Sequence, residues 1–363
     1  MTDLFSPAAF GALELTNRVV MAPLTRMRSG DAGIPGDIVV EHYAQRASTG
    51  LIVTEGTYPS FAGHGFVGQP GLVTDEQLAG WRRVTDAVHA AGGQIVAQVM
   101  HAGRATHPEI NGGLPVVAPS AIAIDGETHT PHGKRPYPVP HALTDAELPG
   151  IVQEFVTASR NAIEAGFDGV ELHGANGYLL NEFLAPSANH RAAPYGGSPE
   201  NRARMVIETV RAVAAEIGAD RVGLRISPEH NIQGIQDTVE DVEATYGYLL
   251  DELAPLGLAF VSILHPEPTG DLVQGLRVRF GGPFFVNSGF GTITTRDEAL
   301  EWMGSGHTDA VVVGRAIIAN PDLVLRWHRN TELNDLNPAT IYASGSEGYT
   351  DYPSLADLEA ARA

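Results

Sequence analysis

Residues 284–327 read FFVNSGFGTITTRDEALEWMGSGHTDAVVVGRAIIANPDLVLRW. Two short apolar runs, Phe284 to Asn287 and Ala310 to Val313, are each followed by a turn of small residues and then by a stretch with helical character. That order marks a parallel βα unit, because a strand covered on both faces is apolar throughout while the returning helix is apolar on one side only. Moving towards the N-terminus, the same unit recurs at Phe260 to Leu264, Val222 to Ile226, Gly169 to His173, Gln94 to Val99, Leu51 to Glu55 and Arg18 to Pro23. The total of eight strands is the number that closes a (β/α)8 TIM barrel, an α/β fold. An open doubly wound sheet also uses βα units, but it places a Gly-rich phosphate turn after its first strand, and MAPLTRMRSG has none. The reading is one barrel domain spanning 1–363.

The helices carry their own punctuation. Ser198 suits an N-cap and Pro199 the first turn of a helix whose stripe of Met205, Val206, Val210, Val213 and Ile217 ends at Gly218. Asn320 and Pro321 read the same way ahead of DLVLRW. Leu78, Trp81, Val84 and Val88 form one apolar face, and Ile151, Phe155, Ala158 and Ala162 another. Two segments fall outside the repeat. LFSPAAFGALEL, ahead of the first strand, reads as a hairpin closing the barrel floor. Residues 101–141, rich in Pro, Gly and His, read as a long excursion after the third strand, a flap over the barrel mouth with little β content.

Composition removes whole classes of function. With 43 acidic against 23 basic residues, the formal charge of −20 repels phosphodiester backbones and anionic lipid, so neither nucleic acid nor membrane is expected as a partner. No apolar run nears the length of about twenty residues that spans a bilayer, and MTDLFSPAAF lacks a signal-peptide pattern. A cytoplasmic protein is expected. The absence of cysteine removes disulfides, thiolate nucleophiles and Cys-ligated zinc or iron-sulfur sites. The single lysine, Lys134, sits in HGKRPYPVP rather than at a strand end, which argues against Schiff-base chemistry.

A barrel of this kind builds its chemistry where strands end. Thr25, Gly56, Gln98, Met100, His173, Asn176, Tyr178, Arg225, His265, Ser288, Gly289, Gly314 and Arg315 stand there. They include no carboxylate pair and no tight set of metal ligands, so no metal is expected. Hydrogen-bond donors dominate, a set that suits a planar, carbonyl-bearing ligand such as a flavin ring and stabilises negative charge on it. After the last two strands, Gly289 and the Gly314–Arg315 pair let backbone N–H groups approach a phosphate, although a glycine after a strand also serves as a plain turn. In GVELHGANGYLL, strand alternation aims Glu171 and His173 inward, and Asn176 comes beside His173 once the chain turns. Two donors then converge on one oxygen, with the Tyr178 phenol near enough to protonate a carbon made basic. Taken singly, the imidazole and the phenol also fit purely structural roles.

The segments NRVVMAPLTRMR, YAQRASTGLIVTEGT, GWRRVTDAVHAAGGQIVAQVMHAGR, EAGFDGVELHGANGYLLNEFL, YGGSPENRAR, VVVGRAIIANPDL and GYTDYPSL, in that order along essentially the whole chain, resemble the old yellow enzyme family of FMN-dependent ene-reductases. The resemblance implies tightly bound, non-covalent FMN, with NADPH or NADH as reductant. It implies Thr25 on flavin O4, Gln98 on the pyrimidine edge, Arg225 near N1 and O2, and backbone or close contacts from Pro23, Leu24 and Gly56. Ser288, Gly289, Gly314 and Arg315 would hold the phosphate. The implied reaction passes hydride from nicotinamide to flavin N5. Hydride then goes to the β-carbon of an enone, enal, unsaturated imide or nitroalkene gripped by His173 and Asn176, while Tyr178 protonates the α-carbon from the opposite face.

Departures from the family pattern fall on the substrate side. Met100 stands where many members carry tryptophan, Phe66 stands where a tyrosine often follows glycine, and Tyr342 keeps a pocket tyrosine. An altered substrate orientation is expected. The adjacent cations Lys134 and Arg135 are expected to recruit the phosphates of the nicotinamide cofactor. Rival readings are a flavin barrel with another redox substrate, a metal-dependent hydrolase using His101, His107, His173 or His265, and a non-catalytic flavin carrier. The resemblance allows a monomer or a homodimer.

Overall fold

The computed structural model describes residues 3–361. Barrel strands β1 (Val19–Met21), β2 (Leu51–Val53), β3 (Ile95–Val99), β4 (Gly169–Gly174), β5 (Val222–Ile226), β6 (Phe260–Leu264), β7 (Phe284–Asn287) and β8 (Ala310–Val313) follow one another around a closed parallel barrel. The circle closes where Val311 of β8 pairs with Val19 of β1. This is the (β/α)8 fold read from the sequence. The first two strands are shorter than the apolar runs suggest: Pro23 has no N–H to give to a ladder, and Thr54 and Glu55 already belong to the loop.

Side chains alternate across each strand and sort into two apolar layers. Val19, Met21, Ile52, Ile95, Val99, Val170 and Leu172 face outward and pack under the helices. Val20, Leu51, Val53, Val96, Phe260, Phe285, Ala310 and Val312 fill the lower interior. There the rings of Phe260 and Phe285 stack at 4.7 Å, and Phe10 meets Phe285 edge-on at 5.0 Å. Gly223 makes room for this: a Cβ on it would lie 2.3 Å from the Phe260 ring.

The expected N-terminal hairpin pairs Ala8–Phe10 with Leu13–Leu15 and seals the floor, burying Phe10, Leu13 and Leu15 among those interior residues. Each such burial is worth roughly 1.5–3 kcal/mol. The Ala12 N–H donates to Asp220 O at 2.8 Å, tying the hairpin to the loop before β5.

Higher in the same strands the inward residues become polar. The registers Glu171↔Gln98, His173↔Arg225, Arg225↔Ser262 and Leu264↔Asn287 place Gln98, Glu171, His173, Arg225, Ser262 and Asn287 around the top of the barrel. An apolar plug below and a ring of polar side chains above set where chemistry occurs.

Around the barrel, Ser198 caps the helix Pro199–Ile217 as expected, accepting from Asn201 N–H. The helices Asp75–Ala90 and Leu148–Glu164 present the predicted faces, the first with a capping box between Thr74 and Gln77. Asn320 requires a correction, because it follows the short helix Arg315–Ala319 instead of capping the next one. Its Nδ2 donates back to Ala316 O at 2.8 Å and its Oδ1 accepts from Asn334 N–H at 2.7 Å, so the side chain is already committed. The next helix, Leu323–Arg329, starts from Asp322.

The excursion also holds more β structure than its composition suggests. Glu127–Thr130 pairs antiparallel with Gly133–Pro136, and Val117–Ala118 pairs with His141–Ala142. Alternate residues Thr128 and Thr130 are buried, which supplies the one-sided face a hairpin needs. Among the described residues no helix is long and apolar enough to cross a membrane.

Candidate active site

The polar top of the barrel opens into a cavity of about 380 Å³. Pro23, Leu24 and Thr25 enter it directly after β1, Gln98 and Met100 from β3, His173 from β4 and Arg225 from β5. Gly289 and the Gly314–Arg315 pair reach it after β7 and β8, and Asn176 and Tyr178 from the turn after β4. Tyr342 arrives from the distant C-terminal segment. Chain positions far apart in sequence thus converge because consecutive parallel strands all point their ends the same way.

Four expected residues lie off the cavity wall, one being His265, whose Nε2 sits 3.0 Å from Glu229 Oε2. Gly56 stands behind Met100, where a Cβ would come within 2.6 Å of its Sδ. Ser288 is buried against Thr294, Oγ to Oγ1 at 2.8 Å. Phe66 is absent from the lining, and its carbonyl lies 2.9 Å from His64 Nε2.

No residue of 101–141 lines the wall, and Arg135 is paired with Glu109 at 3.1 Å. The described cations at the cavity are Arg225 and Arg315. Sequence reasoning passed over Ile232, Gln233, Phe290 and Ile341, which also line it. They come from irregular loops with no periodic signal. Among the described residues no three His, Asp or Glu side chains gather into a metal-holding group.

The electrostatics follow from burial. Glu171 accepts from Gln98 Nε2 at 2.8 Å, and burial pushes its carboxyl up to about 7, against the opposing pull of Arg225 and Gln98. Arg225 donates from Nη1 to Ser262 Oγ at 3.1 Å and from Nη2 to Asn287 Oδ1 at 3.4 Å, while its buried Nε has no partner. Burial, with the Arg225 charge nearby, holds His173 well below the usual histidine range and therefore neutral. Its Nδ1 is likewise buried without a partner. The Tyr178 ring lies 5.2 Å from that of His173, and burial pushes the phenol up to about 12, so it keeps its proton at neutral pH.

Asn176 is held hard. It adopts φ 59°, its N–H donates to Ser227 Oγ at 2.8 Å, and its carbonyl accepts from Gln233 Nε2 at 2.8 Å. A second clamp fixes the segment bearing Tyr342. Arg26 Nη2 donates to Gly348 O at 2.6 Å, and Arg28 donates to the carbonyls of Thr340, Ile341, Gly345 and Glu347 at 2.9–3.1 Å. Both guanidiniums lie over the ring of Tyr349, at 4.9 and 4.3 Å. Glu55, after β2, accepts from the Arg26 and Met27 N–H groups at 3.0 and 3.1 Å, which fixes the strand end carrying Thr25.

The buried Nε–H of Arg225 has no protein partner, and a neutral His173 has one ring N–H to give, so both residues on the cavity wall suit an acceptor-bearing ligand. Together with Thr25 and Gln98, and with the glycine loops and Arg315 after β7 and β8, they fit a planar carbonyl-bearing ring with an anionic tail.

The comparisons with known proteins agree. The old yellow enzyme homologue from Zymomonas mobilis is 40% identical, with TM-score 0.92 over 97% of this chain and 99% of that one. Morphinone reductase in complex with tetrahydroNAD is 41% identical, with TM-score 0.92 over 98% of each chain. A probable flavin mononucleotide-dependent alkene reductase of Leishmania infantum is 42% identical over 361 residues, 97% of each. Fold and site define an FMN-dependent (β/α)8 oxidoreductase that draws on NADH or NADPH. A family model described as NADH:flavin oxidoreductase / NADH oxidase matches residues 3–334, and the chain belongs to that family, among the old yellow enzymes.

Proposed function

We propose that this chain reduces the activated C=C bond of enones, enals, unsaturated imides or nitroalkenes with NADPH or NADH. The observation that carries the reading is the convergence of His173, Asn176 and Tyr178 on the one cavity that also presents Thr25, Gln98 and Arg225. Thr25, Gln98 and Arg225, with Pro23 and Leu24, would hold the flavin ring. Gly289, Gly314 and Arg315, with the backbone at Ser288, would hold the phosphate, and Gly56 gives Met100 its place beside the ring. FMN, when bound, supplies the two-electron hydride chemistry that no side chain here can perform.

The chain's own groups do the rest. His173 Nε2 and Asn176 Nδ2, 3.5 Å apart, donate to the carbonyl or nitro oxygen and stabilise the negative charge that builds there. Because His173 is kept neutral, it acts as a fixed hydrogen-bond donor. Tyr178 holds its proton for the α-carbon, its hydroxyl too weakly acidic to lose it to solvent. Met100 and Tyr342, on the same wall, shape the space around the substrate's substituents, a role that Phe66, off the lining, does not share.

Purification and spectroscopy test this directly. A yellow protein is expected that NADPH bleaches under anaerobic conditions and that 2-cyclohexenone reoxidises faster than air does. Failure to bind FMN, or reoxidation by air alone, would defeat the proposal.

A further inference from the structure

The carboxamide of Asn176 has an accepting end and a donating end, and only the donating end can help His173 hold an oxygen. What decides which end faces the cavity is outside the His173–Asn176–Tyr178 group. His230, half-buried in the loop after β5, brings Nδ1 to 3.0 Å from Asn176 Oδ1. On the other side, Asn176 Nδ2 lies 3.5 Å from His173 Nε2.

We propose that His230 is a positioning residue for the reduction: its Nδ1–H donates to Asn176 Oδ1 and so locks the amide N–H2 towards the cavity. This rests on the ene-reductase reading above. With the amide turned over, its oxygen would face the oxygen of the substrate, and two acceptors would repel where a donor is needed.

The surroundings of His230 suit this task. Its imidazole packs edge-on against Phe290, with centroids 4.8 Å apart at 84°. The preceding residue, Glu229, is held by His265, Oε2 to Nε2 at 3.0 Å. Three residues on, Gln233 bonds the Asn176 carbonyl at 2.8 Å. The loop is thus fastened on both sides of His230, and the imidazole meets Asn176 at its acceptor. Backbone bonds to Ser227 and Gln233 fix where Asn176 sits, but they leave rotation of its amide free, and only His230 contacts the amide oxygen among the described residues.

The test uses the FMN-loaded enzyme with His230→Leu, His230→Gln, Asn176→Ala and the double variant His230→Leu/Asn176→Ala. Two quantities are read: kcat/KM for 2-cyclohexenone, and the Kd of cyclohexanone, whose oxygen can be gripped but which has no C=C bond to reduce, from its perturbation of the flavin absorbance. His230→Leu is expected to weaken both by about tenfold, the worth of one oriented hydrogen bond. His230→Gln, which keeps an N–H donor, is expected to recover most of the loss. In the Asn176→Ala background, His230→Leu should change either quantity by less than about twofold, since the group it orients is gone.

Equal losses with and without Asn176 would show that His230 merely supports the loop, and would overturn the proposal. Wild-type values in His230→Leu would overturn it as well. Should the wild-type enzyme bind cyclohexanone yet fail to reduce cyclohexenone, the ene-reductase reading falls, while the binding cycle still decides whether His230 acts through Asn176.

Discussion

Glu171 and Gln98 stand opposite each other on neighbouring barrel strands, and the buried carboxylate accepts the Gln98 Nε2–H at 2.8 Å. The same carboxylate faces the charge of Arg225. In ionised form Glu171 offsets the guanidinium that would otherwise favour an electron-rich ring. Glu171→Gln is therefore expected to raise the flavin midpoint potential by about 30 mV, equivalent to ~1.4 kcal/mol for two electrons. Because burial holds this carboxyl up to about 7, the wild type itself loses the negative charge as pH falls through that value. The difference between variant and wild type should be full above pH 8 and fade towards pH 5. Spectroelectrochemical titration across that range checks it, and a lowered or unchanged potential at high pH counts against it.

Tyr178 provides the second prediction. Tyr178→Phe should slow reoxidation by cyclohexenone by about 10²- to 10⁴-fold, the usual worth of a positioned acid. In D2O the wild type should place deuterium on the α-carbon, trans to the transferred hydride. An ordinary phenol is half ionised near pH 10, whereas burial pushes this one up to about 12. The stopped-flow rate should therefore stay level to pH 10. Syn addition, or an inflection near pH 10, would speak against Tyr178 as the acid.

Met100 is 2% exposed and lies on the cavity wall in contact distance of Gly56. Met100→Trp should reorient a bulky prochiral enone and shift its enantiomer ratio by about tenfold, a difference of ~1.4 kcal/mol between competing barriers. Met100→Leu, closer in volume, should shift it far less. Identical ratios across a panel of substituted cyclohexenones would remove Met100 from the specificity argument.

Arg28 organises the C-terminal segment through four carbonyls, of which only Ile341 O is also reached by Arg26, from Nε at 3.2 Å. Arg28→Met should cost about 3 kcal/mol of stability, because charge-assisted hydrogen bonds are lost and acceptors are left bare. It should also speed amide hydrogen exchange over residues 340–349. Unchanged exchange there would show that the clamp does not hold Tyr342 in place.

Most of this architecture was legible in the sequence because it rests on periodicity. The buried strands are continuous apolar runs, and their ends name Thr25, Gln98, His173 and Arg225 without any knowledge of contacts. The Asn176 turn and the cavity-lining glycines after β7 and β8 could be read for the same reason.

What escaped depends on partners distant in the chain. Asn320 carries the residue type of a cap, but its side chain is taken by Ala316 and by Asn334, fourteen positions on. The Arg26 and Arg28 clamp joins positions more than three hundred residues apart. His230 lies in an aperiodic loop, and its meaning appears only once Asn176 is seen beside it. The 127–136 hairpin hid behind a polar composition, its regularity visible only as the alternate burial of Thr128 and Thr130.

The aromatic plug of Phe10, Phe260 and Phe285 fills the lower end of the cylinder. On the ene-reductase reading, dinucleotide and enone would then share the upper opening and take turns, so double-reciprocal plots should run parallel in ping-pong fashion, and an excess of either reactant should inhibit turnover by occupying the other's berth.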